Sequence, residues 1–186
     1  MNRGETLPAS NDLELIAHAQ QGDRHAFGKL VCLYRDRVVN VVYRMCGDGD
    51  LAEEAAQEAF VRAWVNLHRY KADRPFRNWL CRIATNVALD RIRAEKPTTS
   101  LEKIQVSDTS NHVEAIVENM EQARKIKYEI MRLPTSIRAV IVLREYEQMS
   151  YREIADSLDI PVGTVMSRLS SARNQLRQSL ATFLEE

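Results

Sequence analysis

The chain has 186 residues, enough for one domain or two small ones, and its 45% apolar content suits a folded, soluble protein rather than a disordered one. Its 26 bases balance 26 acids, so net charge points to no class of partner and only its distribution is informative. Apolar runs are only a few residues long, as around Val38 to Tyr43, far short of a membrane span, and the opening MNRGETLPASND lacks the apolar core of a signal peptide. A cytoplasmic protein without membrane insertion is expected. Cys32, Cys46 and Cys81 are odd in number, widely spaced and without a C-x-x-C, which suits reduced thiols. Cys32 and Cys81 fall within apolar helical patterns, as inert buried thiols do. His18, His25, His68 and His112 lack ligand spacing, so no metal site is expected.

In chain order, residues 1–11 read as a mobile tail. Asp12 opens a helix with Leu13, Ile16 and Ala17 on its apolar side, closed by Gly22 and Asp23. Residues 25–45 form a second, with Phe27, Leu30, Val31, Tyr34, Val38, Val41 and Val42 at core spacing. After a Gly47-Asp48-Gly49-Asp50 turn, Asp50 and Glu53 have the form of a capping box and start a third helix over 51–68. Leu51, Ala55, Ala59, Ala63 and Trp64 are its packed residues. Arg74-Pro75 marks a loop, and a fourth helix over 77–93 packs through Leu80, Ile83, Ala84, Val87 and Ile92.

Composition then changes. Residues 95–112 are rich in Ser, Thr and acids and read as a linker. Helical spacing resumes with Ile116, Met120, Ala123, Ile126 and Ile130; Leu133-Pro134 ends that helix, and Ile137, Val140, Ile141 and Leu143 carry the next. No stretch alternates with period two. The expected fold is all-α: two small helical domains, over 12–94 and 113–186, joined by a flexible linker. Charge follows the same division. Residues 48–67 hold five acids against Arg62, residues 68–94 hold seven bases against Asp73 and Asp90, and residues 95–123 hold six acids against Lys96 and Lys103. Such blocks suggest separate acidic and basic contact surfaces.

The C-terminal stretch is the most specific. Ser150 and Glu153 form a capping box for a short helix with Ile154, Ala155 and Leu158 on one side. Asp159-Ile160-Pro161-Val162-Gly163 interrupts it, with Pro161 and Gly163 as turn formers. A longer helix follows, packed through Val165, Leu169, Ala172, Leu176 and Leu180. Its opposite side carries Ser167, Ser170, Ser171 and Asn174, flanked by Met166, Arg173 and Arg177, and no acid occurs between Ile160 and Leu184. Short hydroxyls let a helix approach a groove, Asn can pair with an adenine edge, and the arginines sit where phosphates pass. This is a helix-turn-helix, and DNA is its expected ligand.

Taken together, DLAEEAAQEAFVRAW (50–64), FRNWLCRIATNVALDRIR (76–93) and LPTSIRAVIVLREYEQMSYREIADSLDIPVGTVMSRLSSAR (133–173) resemble the bacterial RNA polymerase sigma factors of the extracytoplasmic-function type, sigma-70 family group IV. The resemblance implies a transcription initiation factor that binds core RNA polymerase and directs it to promoter DNA. Its C-terminal domain would read the -35 element as duplex and its N-terminal domain the melted -10 element. It further implies contacts with the clamp of the largest polymerase subunit and the flap of the second-largest, and an anti-sigma factor as inhibitor. By the same resemblance Asp50, Glu54, Gln57 and Glu58 would dock on the clamp. Lys71, Asp73, Arg74 and Phe76 would form a pocket for a flipped base, with Asn78, Trp79, Arg82, Asn86 and Arg91 beside it. Cations there would track a single strand while aromatic faces stack on its bases. In the helix-turn-helix, Met166, Ser167 and Ser170 would face bases, Thr164, Arg168 and Arg173 phosphates, with Ser171, Asn174 and Arg177 nearby. Met166 and Ser171 depart from the family, which often has a basic residue at each.

No catalytic constellation, phosphate-cradling loop or cofactor motif is present, so no enzyme and no cofactor are expected. Two other classes use a helix-turn-helix. A stand-alone regulator would bind an operator as a dimer without polymerase, and a recombinase-type enzyme would use the motif for targeting. The single-strand-type segment over 69–93 and the lack of a dimerisation helix argue against the first.

Overall fold

The computed structural model describes residues 10–94 and 115–184, among which there is no strand. The expected tail, apart from residues 10 and 11, and the expected linker lie outside them. The N-terminal half has four α-helices: α1 (Ser10–Gln20), α2 (Arg24–Cys46), α3 (Gly49–Asn66) and α4 (Phe76–Ala94). A single 3-10 turn, Leu67–Arg69, follows α3. Asp23 caps α2 by accepting from the backbone N–H groups of His25 and Ala26 at 2.8 and 3.1 Å, bonds that hold its carboxyl below the usual range. Gly47 ends α2 in the left-handed conformation, φ 78°. That abrupt stop puts Asp48 already in extended backbone, so Asp48 rather than the expected Asp50 caps α3, accepting from Leu51 N at 3.0 Å. Asp50 falls in the first helical turn instead.

Packing follows the apolar spacing. Val38, Val41, Val42 and Met45 of α2 are fully buried. They meet a face of α3 made of Ala52, Ala55, Ala56, Ala59 and Ala63, whose short side chains let the helices pack closely. Leu80, Ala84, Val87 and Ala88 of α4 close the bundle. Cys32 is exposed, contrary to expectation, while Cys81 is buried.

The C-terminal half comprises α5 (Ala115–Arg132), α6 (Thr135–Ile141), α7 (Tyr151–Leu158) and α8 (Val162–Leu184). Of the apolar residues expected to pack in α5, Ile130 is buried and Ile126 is exposed. Between α6 and α7 lies one π-helical turn, Val142–Tyr146, followed by Gln148 in the left-handed region at φ 56°. The capping box of α7 forms as the sequence indicates: Ser150 Oγ accepts from Glu153 N at 3.3 Å and Glu153 Oε2 from Ser150 N at 2.7 Å. The turn into α8 differs from expectation. Asp159, at φ 53°, is the left-handed residue, whereas Gly163 lies inside the first turn of α8 with open space around it.

The two halves are not separate beads. Leu133, Val142, Leu143 and Met149 are buried in one core with Met45 and Leu80. Arg138 reaches across, donating to the backbone carbonyls of Met45, Met131 and, at 3.0 Å, Leu133. Lys127 bonds the hydroxyl of Tyr43 and sits 4.1 Å over its ring, and Arg44 stacks 4.2 Å over Tyr146. A Cβ at Gly47 would lie 2.8 Å from Met131 Cε.

Gly47→Ala is therefore expected to combine a strained φ with a clash at this junction, lowering unfolding stability by about 1–2 kcal/mol. Thermal or urea unfolding checks it; an unchanged midpoint would contradict it.

Candidate nucleic-acid interface

Helix α8 presents its expected face. Val165, Leu169 and Ala172 are buried against the rest of the helix-turn-helix, so Met166 (55% exposed) and the exposed Ser167, Ser170, Asn174 and Arg177 point outward. Thr164, Arg168 and Ser171 are half-buried at its edges. Three of these side chains are held locally: Ser167 Oγ donates to Thr164 O at 3.1 Å, Ser171 accepts from Gln175 at 3.0 Å, and Arg177 donates to Asn174 at 3.4 Å. Arg173 is different. Its Nη2 donates to Glu145 Oε1 at 3.0 Å, and that bond raises its pKa. An acid beyond the helix thus meets a cation that the sequence places on an acid-free helix.

A second candidate surface surrounds the start of α4. Gln20 of α1 anchors the preceding loop by donating to the carbonyls of Leu67 and Tyr70 at 3.0 and 2.9 Å. Tyr70 donates to Arg74 O at 2.7 Å. The loop leaves Lys71, Asp73 and Arg74 exposed, with Asp73 and Arg74 paired at 3.5 Å. Phe76 is not at the surface. It is 2% exposed, in a cluster with Tyr34, Tyr70 and Trp79 at centroid distances of 5.3–5.4 Å. From there it supports the loop and cannot stack on a base, which corrects the expectation. Trp79 is half-buried in the same cluster.

Asp73, Arg74, Asn78, Trp79 and Arg82 line one side of a 240 Å³ crevice, and Met149, Glu153, Asp156 and Ser157 the other. Asn78 is only 5% exposed, because its amide donates to Glu153 Oε1 across the crevice. Asn86 is half-buried one turn beyond Arg82. Arg91 does not belong to this surface. It lies about 14 Å further along α4 than Arg82, where its guanidinium donates to Glu58 at 2.7 and 3.0 Å and stands 3.7 Å from Glu54.

The third surface is the outer face of α3. Asp50, Glu54 and Gln57 are exposed and Glu58 is half-buried. The bonds from Arg91 and Arg62 hold the Glu58 carboxyl below its ordinary value of 4.5. Sequence reading missed that this face continues into apolar residues. Val61 and Val65 are 63% and 62% exposed, beside a 300 Å³ groove lined by Arg24, Phe27, Phe60, Val61 and Trp64. Spacing by four from Gln57 was the available signal. Among the described residues, no cluster of His, Cys, Asp and Glu could hold a metal ion, and no helix is long and apolar enough to cross a membrane.

Comparison with known proteins matches both halves. The family profile described as Sigma-70 region 2 matches residues 30–98, and that described as Sigma-70, region 4 matches residues 123–176. The chain is similar to the ECF RNA polymerase sigma factor SigW of Bacillus subtilis (strain 168), 38% identical over 177 residues, covering 89% of this chain and 94% of that protein. It is also similar to the ECF RNA polymerase sigma-E factor of Escherichia coli (strain K12), 35% identical over 176 residues, covering 89% and 92%. Among solved structures it is similar to CnrH in complex with the cytosolic domain of CnrY, with a TM-score of 0.68, 29% identity, and coverage of 93% of this chain and 99% of that one.

The Glu58 pair has a defined pH signature. Its folded-state pKa lies below the ordinary 4.5, so the pair stabilises the fold above that value and the contribution is lost as pH falls through the folded-state pKa. Arg91→Met is expected to move the Glu58 carboxyl back toward 4.5 in an NMR titration and to weaken the acid-side loss of stability. An unmoved titration would contradict the pairing.

Proposed function

The chain belongs to the extracytoplasmic-function sigma factors of the sigma-70 family, and from that premise we propose how its residues divide the work of initiating transcription. A sigma factor is a transcription initiation factor: it binds core RNA polymerase and directs it to specific promoters. The reading assigns residues 12–94 to the region 2 module, 95–112 to the linker and 113–186 to the region 4 module. It places the protein in the cytoplasm and gives it no catalytic role of its own, since the polymerase carries out the chemistry.

In the region 4 module, Met166, Ser167, Ser170 and Asn174 meet base edges of the -35 duplex, with Ser171 at the rim. Thr164, Arg168 and Arg177 meet phosphates. Arg173 joins them by exchanging Glu145 for a phosphate. The acid-free, outward face of α8 is the observation that carries this assignment. In the region 2 module, Lys71, Asp73, Arg74, Asn78, Trp79, Arg82 and Asn86 take the unpaired -10 strand, with Phe76 as the buried support of the loop and Arg91 as the brace of α3. A base leaving the stack needs such a pocket, and cations and ring faces hold the strand around it.

The outer face of α3 fits the polymerase clamp. Asp50, Glu54, Gln57 and Glu58 supply complementary charge, which speeds and orients docking, and Val61 and Val65 supply the apolar area that a charged face lacks. The flap of the second-largest subunit is the corresponding partner of the region 4 module. The solved relative CnrH is held by the cytosolic domain of CnrY. An anti-sigma protein of that kind is the inhibitor proposed for this chain.

Run-off transcription with core polymerase and a library of randomised promoters tests the reading. Ser167→Ala and Ser170→Ala are expected to change which -35 bases are preferred. Arg177→Ala should weaken all promoters alike and lower the salt slope of binding by about 1. Equal losses on every promoter from the serine variants would count against base reading by α8. A second test addresses docking: Val61→Asp should reduce co-elution with core polymerase while leaving unfolding stability within about 0.5 kcal/mol, since the side chain is at the surface. Undiminished co-elution would exclude Val61 from the docking face.

A further inference from the structure

Helix α8 exposes apolar side chains at its N-terminal end, and we propose that Met166 is the specificity-determining residue there, seated against the C5-methyl group of a thymine in the duplex. The contact rests on the reading of α8 as the -35 helix and names the base that its first turns accept.

The outward strip of α8 runs through Val162, Met166, Ser170 and Asn174, each four residues after the last, so they line one side of the helix. The strip changes chemistry along its length. Val162 and Met166 are 39% and 55% exposed, while the exposed Ser170 and Asn174 are polar. Nothing in the fold calls for the apolar pair. The packed side of α8 is complete with Val165, Leu169 and Ala172, and a Cβ added at the adjacent Gly163 would meet no atom within 4 Å. One exposed apolar residue is ordinary. Two in register are a different matter, because they stand at the end of the recognition helix that meets base edges in this motif.

The major groove offers an apolar group on one base alone. The rest of its floor is hydrogen-bond donors and acceptors, and thymine adds a methyl. A thioether pressed on the edge of guanine would strip water from O6 and N7 and return no hydrogen bond. On thymine it buries a methyl instead. Met is unbranched and its sulfur polarizable, so it can follow the methyl to whatever depth the helix approach leaves. Successive residues of the strip lie about 6 Å apart along the helix, against about 3.4 Å per base pair. Met166 and Ser170 therefore fall over different base pairs, and the methyl contact does not compete with the hydroxyl one.

Ser167 sharpens the choice. Its Oγ donates to Thr164 O at 3.1 Å, which engages its one proton and leaves only lone pairs to face outward. It can accept from the amino group of adenine or cytosine, and it has no donor left for the acceptors of guanine. The neighbouring cation, Arg168, is half-buried at the helix edge, on the side given to phosphate. The first outward turn of α8 thus suits thymine beside Met166 and refuses guanine there.

Competition binding by the full chain with core polymerase tests the contact. A duplex of preferred sequence, drawn from the randomised promoter library, is compared with duplexes in which one -35 thymine at a time, on either strand, is replaced by uracil, which lacks only the methyl. One of these replacements is expected to lower affinity about three- to fivefold, the scale of one buried methyl. At that position 5-methylcytosine should recover part of what cytosine loses. Met166→Ala should bind the thymine and uracil duplexes alike, Met166→Leu should keep the difference, and Met166→Arg should turn the preference toward guanine.

Equal affinity of the unaltered complex for every uracil duplex, or a uracil loss that persists in Met166→Ala, would overturn the methyl contact. If instead no change of any -35 base altered binding by the complex, the reading of α8 as the -35 helix would fall, and the methyl contact with it.

Discussion

Arg138 joins the two halves of the protein through carbonyl oxygens rather than through an acid. Its guanidinium is buried between the ends of α2 and α5 and donates to Met45 O, Met131 O and Leu133 O. Helix C-termini leave their last carbonyls without partners and carry partial negative charge. A guanidinium with five donors in a plane can satisfy several of them at once. Desolvation lowers its pKa, yet an arginine stays charged in such surroundings. Removing it would strand both helix ends in the core, which costs more than any single surface contact in the chain.

The rest of the arrangement depends on this junction. Gly47 must end α2 abruptly for the Met45 carbonyl to face Arg138, and Met131 packs over the same glycine where a Cβ has no room. With α5 and α6 fixed there, the π turn and α7 are carried over the start of α4. Helix α8 lies beyond α7 with its polar face outward. On the proposed assignments, the surface for duplex is exposed and the one for single strand lies in a crevice lined from both halves.

Much of this was legible in the sequence because it is local. The capping box at Ser150 and Glu153, the packed side of α8 and the valines of α2 are set by residues a few positions apart, and each forms as read. Errors arose where two local solutions were equally good. Asp48 and Asp50 are both plausible caps, and the left-handed stop at Gly47 decides between them. Asp159 and Gly163 are both turn formers, and the helix resumes before Gly163. Phe76 and Arg91 were misplaced for another reason: whether a ring joins a core, or a cation meets an acid, depends on residues far away in sequence. Tyr34 and Glu58 settle those two cases. The contacts of Arg138 with Met45 and of Glu147 with Arg37 were not legible at all, since the partners lie 93 and 110 residues apart and no periodicity marks them.

The central claim is that one small chain supplies both a duplex contact and a strand contact, and that the second operates only within the polymerase complex. Permanganate and nuclease footprinting on one promoter tests it most directly. With core polymerase, the account predicts protection of the -35 duplex together with reactive, unpaired thymines at the -10 element, and loss of that reactivity alone when Arg82 and Trp79 are replaced. Reactive thymines with the chain alone, or full duplex protection with no opening in the presence of polymerase, would contradict it.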